Sequence, residues 1–115
     1  MNYQNAQLPE GAKLSGATPV MSEKTISPGI LAKHMAPRGK CGFLVVEEGA
    51  CQFVWEDDAA NPLDCDTDHP VVIFPERYHH VVITGPVKLR VEFYALPVRL
   101  EGLDETASRP GDDFI

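Results

Sequence analysis

The sequence is short of positive charge: 10 Lys and Arg stand against 17 Asp and Glu, for a formal net charge of −7. Nucleic acid and anionic membrane surfaces need clustered cations, so neither is an expected partner. No apolar run approaches the length that crosses a bilayer, and Met1 to Glu10 lacks the basic and apolar regions of a signal peptide. Cysteine is sparse as well. Three residues, an odd number without a CxxC pair, suit a reducing cytoplasm better than a disulfide framework. No segment carries a sustained helical period, no internal repeat is found, and a phosphate loop, a nucleophile elbow and a Ser-His-Asp pattern are all missing.

What is present is turn chemistry. Ten prolines and nine glycines punctuate short apolar runs in a chain of 115 residues, enough for one domain with a modest core. That pattern predicts an all-β fold, a small sandwich or barrel of seven or eight strands. Residues 1–17 read as an extended arm, 18–97 as the barrel and 98–115 as an acidic tail, either mobile or docked on a neighbouring subunit. Thr18 to Met21 reads as a short edge strand. Ser27-Pro28-Gly29 reads as a turn before a strand over Ile30 to Met35. Cys41 to Glu48 and Ala50 to Glu56 read as a hairpin about Gly49, and Asp57 to Asp68 as a solvated acidic loop. Over Val87 to Leu96, alternation places Leu89, Val91 and Phe93 on one face and Lys88, Arg90, Glu92 and Tyr94 on the other.

The stretch from Ile73 to Ile83 organises the rest. It reads as a strand, a Pro75-led turn and a second strand opening on His79 and His80, with Glu76 three residues before His79. A carboxylate and an imidazole at the lip of a hairpin can face one pocket, as half of a metal site. Alternation puts His79 with Val81 and Ile83 on the inner face, and His80 with Tyr78 and Val82 on the outer one.

Six motifs, in order, resemble one family: Leu8-Pro-Glu-Gly-Ala12, Thr18-Pro-Val20, Pro28-Gly-Ile-Leu31 with His34, Gly42 to Gly49, Pro75-Glu76 with His79, and Val91-Glu-Phe-Tyr94. They are similar to the small cupin-like domain of YeaR and of the N-terminal part of TehB-type tellurite-resistance proteins. The resemblance covers roughly residues 8–97. It implies a cupin-type double-stranded β-helix, commonly a homodimer, with a divalent metal inside the barrel. This chain departs from the family at Ala36, Cys41 and Phe74, where relatives commonly have threonine, tryptophan and glutamate. Of the usual first cupin motif only His34 remains. Some relatives continue into an S-adenosylmethionine-dependent methyltransferase, for which these 115 residues have no room.

Within that frame His79 is the leading candidate ligand for iron, zinc, nickel or manganese; its bland alternative is a core histidine bonded to a backbone carbonyl. His34 is the second, from a distant strand, unless it orders the turn Pro37-Arg-Gly39. Glu76 would complete a two-histidine, one-carboxylate set, unless it is a turn carboxylate or pairs with Arg77 or another base. Glu92 matches the family, although its face-mates Lys88 and Arg90 point to an ion-paired residue. If Glu92 faces the pocket, Arg90 comes with it and could hold an anionic substrate, and Tyr78 could donate a hydrogen bond. Two functions stay open. One is a metal-dependent enzyme that oxygenates, isomerises or eliminates from a small polar or anionic molecule. The other is a non-catalytic metal- or oxyanion-binding stress-response module, which a closed four-ligand site including Glu92 would favour.

Overall fold

Residues 1–97 are described by the computed structural model, and the acidic tail lies outside them. The order is β1 (Lys13–Ala17), β2 (Met21–Ser22), α1 (Pro28–Leu31), β3 (Lys40–Trp55), β4 (Leu63–Asp66), β5 (Val71–Ile73), β6 (His79–Val82) and β7 (Val87–Ala95). The fold is mostly β, as expected, and every pairing between strands is antiparallel.

Strand β3 is the hub. Its first half pairs with β7 and β5, its second half with β4 and β6. The expected hairpin about Gly49 is therefore corrected: the chain does not reverse there. Each half has partners of its own, and Gly49, at φ +78°, lets one continuous strand turn from one sheet into the other. A register shift between Val46 and Glu48 inserts Glu47 as an extra residue. That insertion moves the inward phase from even to odd positions. Leu44 and Val46 are buried before it; Cys51, Phe53 and Trp55 are buried after it, in one core with Val71, Ile73, Val81, Leu89 and Val91. Fully burying side chains of this size contributes about 1.5–3 kcal/mol each.

Three more readings need correction. Ile30 and Leu31 lie in a one-turn helix, not a strand: Ser27 Oγ accepts from Gly29 N at 3.3 Å, and Pro28 starts the turn with a preset φ. The acidic loop contains β4, whose inward Cys65 and outward Asp64 and Asp66 alternate under a surface that reads as uniformly acidic. Finally, β5 and β6 both pair with β3, in different sheets, so Pro75-Glu76 is a corner between sheets and not a hairpin turn.

The arm is tied down at both ends. β1 pairs with β7, while Asn2 exchanges bonds with Asp64 (Asp64 N to Asn2 O 2.7 Å, Asn2 N to Asp64 Oδ2 2.9 Å). The Gln4 amide substitutes for a missing strand on β5: Nε2 donates to Val72 O at 3.1 Å and Val72 N donates to Oε1 at 2.6 Å. Val72 is buried, so Gln4→Ala leaves two backbone groups unsatisfied. It should cost about 2 kcal/mol, read as a lower urea midpoint with an unchanged slope.

Candidate functional site

The site starts from a backbone contact between two histidines. His34 N donates to His79 O at 3.0 Å and His79 N donates to His34 O at 2.8 Å, so the segment after α1 lies against the open edge of β6. The rings follow the backbone, with centroids 4.3 Å apart at 64°. The two leading sequence candidates are thus brought together, although His34 comes from an isolated bridge and not from a strand.

His79 faces inward, as alternation predicts, and is 0 % exposed. It sits opposite Trp55 in register, stacks on Phe53 at 5.0 Å and meets the edge of Trp55 at 5.5 Å. Burial among these rings, assisted by His34 and His80, pushes the imidazole pKa down to about 4, against the opposing pull of the Arg77 carbonyl and Glu56. The ring is therefore neutral at pH 7. Its Nδ1 lies 2.9 Å from Arg77 O, and because a carbonyl only accepts, the proton is on Nδ1. The carbonyl-bonded alternative is thus half of the answer. The other nitrogen, Nε2, is buried and has no hydrogen-bond partner, a costly state for a lone pair inside a protein. His34 is anchored in the same way, its Nδ1 2.7 Å from Ala32 O, which turns Nε2 to the other side of the ring. A carbonyl behind Nδ1 is the usual support of an imidazole that ligates through Nε2.

The two candidate carboxylates are each paired with an arginine. Glu76 sits at the corner with φ 61°, a left-handed conformation costly for a non-glycine residue. Its N donates to Ala36 O at 2.7 Å and its Oε1 accepts from Arg38 Nε at 3.2 Å, so the base it pairs with is Arg38. Glu92 and Arg90 lie on the face of β7 opposite the buried Leu89 and Val91. Glu92 Oε2 accepts from Arg90 Nη2 at 2.8 Å, and Tyr94 donates its hydroxyl to Oε1 at 2.8 Å. Arg90 also pairs with Glu47. Its cation is neutralised on that outer face, and Arg90 holds the Glu92 carboxyl below its ordinary range. Among the described residues no three His, Cys, Asp or Glu side chains gather as a metal-holding set.

Aromatic and cationic side chains rim the histidine pair instead. Phe74 stacks toward Trp55 at 6.3 Å, and the Arg77 guanidinium lies 4.2 Å from the same ring while gripping Asp57 at 2.7–3.0 Å. Tyr78 is half exposed under Lys33 Nζ, 4.7 Å from its ring. Trp55 and Phe53 belong to the core, as expected, and also pack against His79. The signal for their second role is the phase shift at Glu47, which puts both on the face that His79 enters.

The comparisons come to the same architecture. The model of TehB-like domains matches residues 17–91. Among curated proteins nothing matches. The crystal structure of YeaR from E. coli (strain K12) superposes with a TM-score of 0.72 at 20 % identity, over 81 % of this chain and 99 % of that one. TehB from Haemophilus influenzae superposes with a TM-score of 0.69 at 20 % identity, over 76 % of this chain but 32 % of its own length. At that identity the two structures speak for the fold alone, and the family match over more than half of the sequence carries the assignment. This chain belongs to the TehB-like domain family.

Proposed function

We propose that this domain binds a divalent transition-metal ion through the Nε2 atoms of His34 and His79, leaving further positions for water or a small polar ligand. The observation behind this reading is the buried, partnerless Nε2 of His79. Imidazole nitrogens are borderline donors of the kind zinc, nickel, iron and copper accept. A cation fits better than an oxyanion: an imidazole whose pKa is pushed down to about 4 offers a lone pair at pH 7, not a charge. With Glu76 and Glu92 engaged by Arg38 and Arg90, two donors leave the ion open rather than closed as in structural sites. This makes the domain a binding module first, in keeping with its resemblance to stress-resistance proteins. When bound, such an ion would supply Lewis acidity to whatever fills its open positions.

The sole tryptophan reports on the site, since Trp55 lies 5.5 Å from His79. Titrating untagged protein with Ni²⁺ should quench its fluorescence to saturation at one equivalent, and diamagnetic Zn²⁺ added first should prevent the quench. Both His79→Ala and His34→Ala should weaken the effect at least about tenfold, a loss of about 1.4 kcal/mol or more. His34 is partly exposed, so its variant keeps the test sound if removal of the buried ring unfolds the chain. Quenching that survives in His34→Ala would place the ion elsewhere and end this reading.

A further inference from the structure

Cys51 and Cys65 take no part in the histidine site, and they face each other directly across β3 and β4. Both are free thiols in the core, 2 % and 1 % exposed. The register also sets their spacing. Asp64 points its N–H away from β3, to Asn2 O at 2.7 Å, so Asp64 and Gln52 form a non-hydrogen-bonded pair. Pairs alternate along an antiparallel ladder, which makes Cys51–Cys65 a hydrogen-bonded pair with Cα atoms about 5.5 Å apart. That lies in the range disulfides span, while opposed Cβ atoms at about 4.5–5.5 Å must close by roughly 1 Å to reach the usual disulfide separation. The bond can form, and it forms under strain.

We infer that Cys51 and Cys65 are a redox-active cross-strand dithiol, a modification site that closes to a disulfide with a small peroxide and reopens with a thiol reductant. A strained bridge has a more oxidising potential than a structural one, which suits reversible use. Cys65 Sγ reaches Leu63 O at 3.8 Å; hydrogen bonding between the two thiols lowers Cys51 and raises Cys65, and burial and the Cys51 charge raise Cys65 further, so Cys51 ionises first. Its thiolate attacks one peroxide oxygen and breaks the O–O bond. The departing hydroxide takes up a proton to become water, and Cys51 is left as the sulfenic acid. Cys65 sulfur then attacks the Cys51 sulfur, giving up its proton and displacing the sulfenic hydroxyl as a second water. Two thiols and one hydrogen peroxide become one disulfide and two waters. Access comes from β4, a four-residue strand whose other side is held by the arm at Asn2, a segment short enough to open locally.

Cys41 is an internal control. It is fully buried on the opposite face of β3, faces Tyr94 across the ladder, and its thiol is pushed up to about 11 by burial. The full chain, free of metal, is treated with hydrogen peroxide, then unfolded and alkylated. The expected product has lost two hydrogens, carries a single alkyl group on Cys41, yields a peptide linking Cys51 to Cys65, and returns to three alkyl groups after dithiothreitol. Cys41→Ala should form the same link, carrying no alkyl group after peroxide and two after dithiothreitol. In Cys65→Ala a sulfenic-acid trap should label Cys51. Three free thiols after treatment, a sulfinic acid without the link, or dimers joined through cysteine would each overturn the assignment, and the wild-type masses decide it even if a variant fails to fold.

Discussion

Gly49→Ala is expected to destabilise the domain by about 3 kcal/mol, the sum of a left-handed backbone penalty of about 1–2 kcal/mol and an overpacking cost of about 1–3 kcal/mol. Gly49 holds φ +78° where β3 passes between sheets, and a Cβ there would stand 2.2 Å from Pro86 O and 3.2 Å from Val87 Cα. Backbone atoms cannot rotate aside as the tip of a side chain can. Relief would require β3 and the turn before β7 to separate, and that contact joins the two strands at the heart of the fold. Gly39 isolates the conformational part: it holds φ +81° with nothing within 4 Å of its would-be Cβ, so Gly39→Ala should cost only about 1–2 kcal/mol. With about 4–8 °C lost per kcal/mol in a domain of this size, Gly49→Ala should melt about 12–24 °C below wild type. Equal losses at the two positions would show that Gly49 is needed for its conformation alone, and that the ladder gives way without cost.

The same glycine marks the limit of what the sequence discloses. Two apolar runs around Glu-Glu-Gly are equally compatible with a hairpin and with one strand that bends, because both need a positive φ at one residue. What separates them is the set of partners, β5 and β7 before the bend and β4 and β6 after it, and those contacts are distant in sequence. The same non-local choice turned the Pro75 hairpin into a corner between sheets. Local periodicity was reliable where a strand is regular: β7 alternates as read, and His79 lies inside with Val81. Alternation also carried the ion-paired reading of Glu92, whose family match pointed the other way. The contact of His34 with His79 came from the resemblance and not from any spacing. The Cys51–Cys65 pair stayed hidden because β4 was masked by its aspartates. An acidic run reads as solvated whichever way its alternate residues point.

Between pH 7 and pH 4 the domain, stripped of metal by a chelator, should lose about 3 kcal/mol of stability through His79 alone. The ring titrates near 6.5 when unfolded and is pushed down to about 4 in the fold. Between those values the unfolded chain binds a proton that the native state refuses, so stability rises with pH across the window. The contribution is complete above about 6.5 and is lost as pH falls toward 4, at about 1.36 kcal/mol per unit. Its main cause is burial against Phe53 and Trp55; His34 and His80 add to it, and Glu56 and the Arg77 carbonyl oppose it. Asp57, Asp64, Asp66, Glu23 and Glu92 are all held below their ordinary carboxyl values, so what they contribute is lost at lower pH than most of what His79 contributes. The interval from 6.5 to 5 therefore separates the His79 contribution from that of these carboxylates. His79→Phe keeps a ring against Phe53 and removes the titration, so its urea midpoint should change far less with pH there than that of wild type. Parallel slopes for the two proteins would mean that the fold accepts a charged His79. The lone pair would then be lost to a proton near neutral pH, and the metal reading would lose the neutral donor on which it depends.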